Sequence, residues 1–229
     1  MVLYIYHSLI IVSTVVQLVL LIFLLQGPFR KFPVLFIYLV ADLASTVVET
    51  LADSFYNVGR ESPFYLLLFW SDEIALDLLL FLLVIVLTYQ ATEGSPVRAM
   101  SGHLLRGVVL AVLLLPFVLF PRPFTSPWFN STSELLNFGG AIMNLFLWTA
   151  LIGSRRRDQL LLTVSAGLGV VVTGAAISFG LRHLITQREL WIPNMFLLLT
   201  HLTGLAIWCW AFRPAAKKPS APPDAVTNL

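Results

Sequence analysis

The chain has 229 residues, of which 58% are hydrophobic and 11% charged, and its mean hydropathy is +0.87. This composition lies far outside that of a soluble domain and predicts an integral membrane protein whose main partner is the lipid bilayer. The formal net charge of +2 is too small for a nucleic-acid-binding surface, so no nucleic-acid partner is predicted. Cys209 is the single cysteine, which excludes an intrachain disulfide and a cysteine-built metal site.

Seven apolar segments follow one another along the chain, each near the roughly 20 residues that a bilayer requires. They predict an all-α membrane protein, a seven-transmembrane-helix bundle occupying residues 1–213, with spans at about 3–25, 33–56, 64–89, 104–120, 133–153, 159–181 and 191–212. The strands of a membrane barrel are excluded, because these runs lack alternation and are about twice too long. Residues 214–229 are rich in proline and alanine and predict a disordered cytoplasmic tail.

The distribution of Lys and Arg predicts the orientation. Ten of the fourteen lie on the side of the bundle that holds the Arg155–Arg157 cluster, and four lie on the other side. Because cytoplasmic loops carry an excess of Lys and Arg, we expect the N-terminus outside and the C-terminus in the cytoplasm. Arg182 is assigned to the outer loops, and no Lys or Arg is expected in the interior of a span.

The third segment carries Asp72, Glu73 and Asp77 inside a stretch that is predicted to cross the bilayer. A carboxylate at that depth costs about 2.5–3.5 kcal/mol on insertion scales, so it must face protein, water or a ligand. Glu73 and Asp77 share one helical face, whereas Asp72 points about 100° away and is left outside the predicted site. In the second segment, Asp42 and Glu49 share a face by the same spacing.

Other segments add polar residues at comparable depths, while small residues on two faces of the sixth segment predict a helix packed closely on both sides. With ~1.5 Å of rise per residue, one group of polar side chains lies near the midplane and a second roughly 5–10 Å toward the outside. Together they predict an outward-opening acidic cavity. Its ligand- or proton-binding residues are Asp42, Glu49, Glu73, Asp77, His7, Asn144 and His201.

Four ionised acids cannot coexist in such a cavity, so some are expected to hold a proton, to share one with a histidine, or to bind a cation. We therefore expect the protein to bind, and to transport or sense, a proton, a cation or a small polar ligand. The alternative for each acid is a purely structural hydrogen bond across a helix interface, which averages only about 0.6 kcal/mol in membranes. Glu73 is the residue on which the site is expected to depend.

The stretch Phe69-Trp70-Ser71-Asp72-Glu73 resembles the aromatic-Trp-x-x-Glu motif in the third helix of uncharacterised bacterial seven-helix membrane proteins. The resemblance implies a bacterial inner membrane and carries no activity with it. A retinal protein is excluded, because the last segment lacks the lysine that forms the Schiff base, so no retinal cofactor is predicted.

An enzymatic function remains the alternative hypothesis, as an intramembrane hydrolase or transferase with an acid–histidine site. Seven-helix zinc hydrolases need three metal histidines with a close pair in the last helix, and the last segment has only His201. We favour a binding protein over an enzyme, because no nucleophile beside a base can be named.

Overall fold

The computed structural model describes residues 2–55, 63–92, 98–119, 125–153, 158–186 and 189–213. Within these ranges the chain forms seven α-helices and no strands. They are α1 (Val2–Leu25), α2 (Pro33–Phe55), α3 (Pro63–Ala91), α4 (Arg98–Leu119), α5 (Ser126–Gly153), α6 (Gln159–Leu184) and α7 (Trp191–Phe212). The arginine cluster at 155–157 and the tail at 214–229 lie outside the described residues.

The helices agree closely with the predicted spans at four of seven positions and extend beyond them at the other three. α1, α2, α3 and α7 begin and end within two residues of the prediction, whereas α4 begins six residues early, α5 seven residues early, and α6 ends three residues late. Hydropathy identifies the apolar part of a helix, and backbone hydrogen bonding continues into flanking polar turns.

Within the described residues, six helices are long and apolar enough to cross a bilayer, so the seventh predicted span stays a prediction. The six apolar stretches are Tyr4–Leu25, Pro33–Leu51, Phe69–Ala91, Trp128–Ile152, Gln159–Arg182 and Trp191–Phe212. In α4 the apolar run within the described residues is the shorter Val109–Leu119. Length and composition therefore identify a membrane protein with six candidate spans.

The helices other than α4 close into a ring in the order α1, α2, α3, α5, α6 and α7, and α4 packs outside the ring against α5. A Cβ atom on Gly139 of α5 would meet Val112 of α4, and the rings of Trp128 and Phe117 lie 5.3 Å apart. Because residue numbers rise along α5 as they fall along α4, these two helices are antiparallel.

α3 and α5 run parallel to each other. The Trp70 ring of α3 stacks on the Phe129 ring of α5 at 6.0 Å and 11°, and farther along both helices Phe81 packs at Gly139. Two neighbouring parallel helices require the chain to return between them. α4 makes that return, since it begins beside the end of α3 and ends beside the start of α5.

The apolar core fills the half of the bundle where α1, α3, α5 and α7 end. Its largest fully buried side chains are Phe32, Trp208, Met143, Leu20, Leu24, Leu35, Leu39, Leu83, Leu87, Leu147, Leu168 and Leu205. α6 packs closely on both sides, as predicted: a Cβ atom on Gly167 would lie 2.5 Å from Trp208 of α7, and one on Gly169 would collide with Asn144 of α5. Glu73 and Arg182 lie toward the opposite half.

Candidate functional site

Asp77 lies buried between α3 and α5, with 8% of its surface exposed. The side chains of Ser133 and Asn137 from α5 face its carboxyl group, and Asn137 Nδ2 is held by the Ser133 carbonyl oxygen at 2.9 Å. Asp77 Oδ2 has no hydrogen-bond partner among the described residues. A buried oxygen without a donor is costly, so this atom marks a place where a proton or a donor group would bind favourably.

Arg182, near the end of α6, brings a positive charge to the acids. Its Nη1 lies 3.8 Å from Glu73 Oε1, and its Nη2 donates to Asn194 Oδ1 at 3.1 Å. The guanidinium carbon also lies 4.5 Å from the centroid of the Phe179 ring. Because α6 continues to Leu184, Arg182 lies on the helix itself, and the expectation of acids without a basic residue among them is wrong.

Glu73 retains one oxygen without a partner despite its contact with Arg182. Glu73 Oε2 is buried and accepts no hydrogen bond from the described part of the chain. Trp70 Nε1, one turn earlier, is also buried and donates no hydrogen bond to the described part of the chain. An unused acceptor and an unused donor therefore lie within one turn of α3. We call Glu73, Asp77 and Arg182 the Glu73–Asp77 cluster.

Asp72 belongs to the buried polar network, although the sequence analysis left it out. Ser45 Oγ of α2 donates a hydrogen bond to Asp72 Oδ2. Glu49, one turn beyond Ser45, is partly buried and lies within electrostatic range of both Asp72 and Glu73. The acids of α2 and α3 thus approach each other through Asp72 and Glu49.

Asp42 forms a second cluster with α1 and α7. Its Oδ2 accepts a hydrogen bond from Gln17 Nε2 at 2.9 Å and lies 3.5 Å from His201 Nε2. The buried Tyr38 hydroxyl lies 3.4 Å from the same histidine nitrogen. We call Asp42, His201 and Tyr38 the Asp42–His201 cluster.

The remaining two predicted site residues are His7 and Asn144. His7 is exposed on α1, where its ring is edge-on to Tyr6 at 6.3 Å. Asn144 is buried beside Gly169 of α6 and lines a groove formed by α5, α6 and α7. The structure therefore places Asp42, Glu49, Glu73, Asp77 and His201 between helices of the ring, and Asn144 in the groove of α5, α6 and α7.

Three members of the network were not predicted from the sequence: Arg182, Asp72 and Ser133. Ser133 and Asn137 are four residues apart, so the pair lies on one helical face. That spacing was a usable signal for α5. The orientation of Asp72 toward Ser45 had no such signal, because it depends on which helix packs beside α3.

The Glu73–Asp77 cluster has a net charge of −1 when its two carboxylates and one guanidinium are all ionised. Across the described ranges, no group of three or more His, Cys, Asp and Glu side chains is arranged to hold a metal ion. One proton, or one monovalent cation, would make the cluster neutral, which is the favourable state for a group buried at membrane depth.

No protein-family model, no curated protein and no solved structure matches the chain. The resemblance to uncharacterised bacterial seven-helix proteins therefore stays a prediction, and the function has to be argued from the site itself.

Proposed function

We propose that this multi-pass membrane protein binds one positive charge at the Glu73–Asp77 cluster, either as a proton or as the cationic group of a small polar ligand. The observation that carries the proposal is a pair of buried carboxylate oxygens, Glu73 Oε2 and Asp77 Oδ2, that have no hydrogen-bond partner among the described residues and lie in a helix apolar enough to cross a membrane. A proton or an ammonium group supplies both the missing donor and the missing charge.

The distribution of polar and apolar residues supports access from the end of the bundle where α1 begins. Glu73 and Arg182 are partly exposed at that end, Asp77 is buried one turn deeper, and the apolar core fills the other end. A ligand entering from the polar end meets the Arg182–Glu73 pair first and Asp77 second. This arrangement supports an outward-facing acidic site that is closed toward the cytoplasm.

Proton transfer between the Glu73–Asp77 cluster and the Asp42–His201 cluster is the form of transport or sensing that the residues favour. Tyr38 lies within electrostatic range of both Asp42 and Asp77, and its hydroxyl contacts His201. The Asp42–His201 cluster is therefore the next protonatable group along the interior from Asp77. The membrane that we propose is the bacterial inner membrane, with α4 as a seventh crossing and the N-terminus outside.

A hydrolase built on Asp42 and His201 is the weaker proposal. In an acid–histidine–hydroxyl triad the two ring nitrogens contact different partners, so that a proton passes through the imidazole. Here the Tyr38 hydroxyl and Asp42 Oδ2 both approach His201 Nε2. That geometry suits a shared proton better than activation of a nucleophile.

Infrared difference spectroscopy of the protein in lipid nanodiscs tests the proposal. We expect a carboxylic-acid C=O band at neutral pH that Glu73→Gln or Asp77→Asn diminishes, and that Asp158→Asn, an exposed control at the start of α6, leaves unchanged. Methylammonium, which carries N–H donors, should displace the bound proton and weaken the band, whereas tetramethylammonium should not.

Thermal melting of the same variants separates folding from function. We expect Glu73→Gln to melt close to the unchanged protein, because an amide replaces the carboxyl group with little change in shape. A band that is insensitive to both Glu73→Gln and Asp77→Asn, together with equal destabilisation by Glu73→Gln and Glu73→Ala, would show that Glu73 is only a structural hydrogen-bonding residue.

A further inference from the structure

Exposed positive charges gather at the end of the bundle where α1 and α7 end. Arg30, in the turn that follows α1, and Arg213, directly after α7, are both exposed. The two chain segments meet there, because the rings of Phe32 and Phe212 pack edge to face with their centroids 5.4 Å apart. We define the basic patch as Arg30, Lys31, Trp210 and Arg213.

Two of the three cations of the basic patch have no acid beside them among the described residues. Lys31 Nζ lies 2.8 Å from Asp158 Oδ2, so the charge of this lysine is already balanced. The described acids form ion pairs with Lys31, Arg182 and His201, and none of them with Arg30 or Arg213. The two arginines therefore leave a local excess of positive charge that favours binding of an anion.

Each of the two arginines lies against an aromatic ring. Arg213 Cζ is 5.3 Å from the centroid of the Trp210 ring, and Arg30 Cζ is 5.9 Å from that of the Phe29 ring. A guanidinium group that stacks on a ring keeps the N–H groups of its edge available, and their fork geometry matches two oxygens of a phosphate. The arginines are therefore arranged to donate hydrogen bonds to an oxyanion.

The basic patch lies at the depth of the phospholipid headgroups. The apolar stretch of α1 ends at Leu25 and that of α7 at Phe212, so Arg30 and Arg213 follow directly on the hydrocarbon-spanning parts of these helices. Trp210 is 58% exposed, and tryptophan is enriched at this level of the membrane. The anion that is closest to both arginines in a bilayer is a lipid phosphate.

The backbone that carries Arg30 is held by its own hydrogen bonds and by α3. Arg30 N donates to Gly27 O at 3.4 Å, and Lys31 N donates to Pro28 O at 2.9 Å. Gln90 Nε2 of α3 donates to Lys31 O at 3.3 Å. Because this segment is already ordered, binding costs less conformational entropy than ordering a free loop would.

We propose that the basic patch binds the phosphate of an anionic phospholipid, with the Arg30 and Arg213 guanidinium groups as hydrogen-bond donors and the Trp210 ring beside the upper part of the acyl chains. A zwitterionic headgroup binds more weakly, because its own cation is repelled by the same arginines. The basic patch lies at the opposite end of the bundle from Glu73 and Arg182, and the proposal does not depend on the function proposed for those residues.

Native mass spectrometry of the purified full-length protein in detergent micelles tests the basic patch with two matched lipids. Dioleoyl-phosphatidylglycerol and dioleoyl-phosphatidylcholine share their acyl chains and the phosphodiester group, but only the second carries a cation. We expect the protein to bind phosphatidylglycerol about fivefold or more tightly than phosphatidylcholine. Arg30→Gln and Arg213→Gln should each weaken phosphatidylglycerol binding about fivefold, and the double variant about 25-fold, with phosphatidylcholine binding little changed.

Arg106→Gln is the matched control, because it removes one exposed positive charge from α4, which lies outside the ring. It should leave phosphatidylglycerol binding unchanged. Arg213→Lys, which keeps the charge, should lose less binding than Arg213→Gln. The substituted side chains are exposed, so we expect all variants to melt at the temperature of the unchanged protein.

Three outcomes overturn the proposal. Equal binding of the two lipids would show that the headgroup charge is not recognised. Weakening by Arg106→Gln as large as that by Arg213→Gln would show attraction to the net charge of the protein instead of the basic patch. Displacement of phosphatidylglycerol by inorganic phosphate, at an ionic strength matched with chloride, would assign the basic patch to a soluble phosphate compound.

Discussion

Arg182 determines how the acidic residues behave, although it is a single residue near the end of its helix. It contacts Glu73 through Nη1 and Asn194 through Nη2, so the guanidinium is fixed by two helices besides its own. Without it, Glu73 and Asp77 would carry two uncompensated charges in the membrane interior. With Arg182 present, one further positive charge makes the Glu73–Asp77 cluster neutral.

The Arg182–Glu73 contact leads to a prediction about energetic coupling. Arg182→Gln should lower the free energy of unfolding by about 1–3 kcal/mol, because it leaves a partly buried carboxylate without its cation. Glu73→Gln should suppress most of that loss. Denaturant titrations of the two single variants and the double variant in detergent micelles measure the coupling, with Arg106→Gln as an exposed control on α4. Additive effects of the two substitutions would mean that the Arg182–Glu73 contact contributes nothing to the free energy of unfolding.

Residue spacing predicted which side chains share a helical face, but not what each face meets. Glu73 and Asp77 do share a side of α3, and they meet Arg182 of α6 and Asn137 of α5. Asp72 was expected to point away from Glu73, and it meets Ser45 of α2. Periodicity fixes directions within one helix, whereas the neighbours are set by how the ring closes.

Helix α6 begins with a cap that also ties two loops together. Asp158 Oδ1 accepts hydrogen bonds from the Leu160 and Leu161 amides at 3.0 and 3.1 Å, and Lys31 Nζ donates to Asp158 Oδ2 at 2.8 Å. The hydrogen bond from Lys31, followed by those from the backbone, holds the pKa of Asp158 below its usual value of 3.8. The stabilisation is complete above that value and is lost as the pH falls through the lower folded-state pKa.

Asp158 should therefore account for part of the acid sensitivity of the protein. Asp158→Ala is expected to cost about 1 kcal/mol at neutral pH, as loss of an N-cap usually does. Asp158→Asn should keep much of the cap and remove the contribution to acid sensitivity. Melting temperatures in nanodiscs between neutral pH and about pH 3, compared between Asp158→Asn and the unchanged protein, isolate this contribution. Parallel pH profiles would contradict the assignment.

The α6–α7 contact depends on glycine where the two helices approach most closely. A Cβ atom on Gly167 would lie 2.5 Å from Trp208 Nε1, and Trp208 is fully buried and held by the Val164 carbonyl oxygen at 2.9 Å. Gly167→Ala should destabilise the protein by about 1–3 kcal/mol, because the indole has no room to shift. Gly107→Ala on α4 is the control, since a Cβ atom there has nothing within 4 Å. Equal melting temperatures for the two variants would show that α7 shifts to accommodate the added methyl group at little cost in stability.

Sequence alone placed the elements well and left their ends uncertain for a physical reason. The predicted 191–212 matches α7 at both ends, because the helix and its apolar run coincide. α5 begins seven residues early at Ser126, where polar residues continue the helix beyond its apolar part. α6 likewise continues three residues beyond its predicted end, which brings Arg182 into the site. This small error in the helix end therefore changed the predicted charge of the site.

For the whole molecule, the parallel alignment of α3 and α5 leads to a prediction about topology. The chain between them must cross the bundle, so positions just before α5 should lie on the side of the N-terminus, and the tail on the opposite side. Phe124→Cys and Ser220→Cys, both at positions outside the described residues, can be made in a Cys209→Ala background. A membrane-impermeant maleimide applied to intact cells should label Phe124→Cys alone. Labelling of Ser220→Cys from outside, or identical labelling of both, would contradict seven crossings.

The position of Arg182 in α6, far along the chain from the acids of α3, also has a consequence for biosynthesis. α3 leaves the ribosome well before α6, so Glu73 and Asp77 enter the membrane before Arg182 has been made. During that interval the two acids have no cation to balance them, and α3 is expected to cross the membrane with protonated carboxyl groups or to wait beside the insertion machinery. Chains ended after residue 157 should therefore insert α3 poorly, with recovery when Glu73→Gln and Asp77→Asn are combined. Glycosylation mapping of such truncated chains in microsomes would measure the insertion of α3 with and without the two substitutions. Efficient insertion of the unsubstituted truncated chain would show that α3 enters the membrane without Arg182.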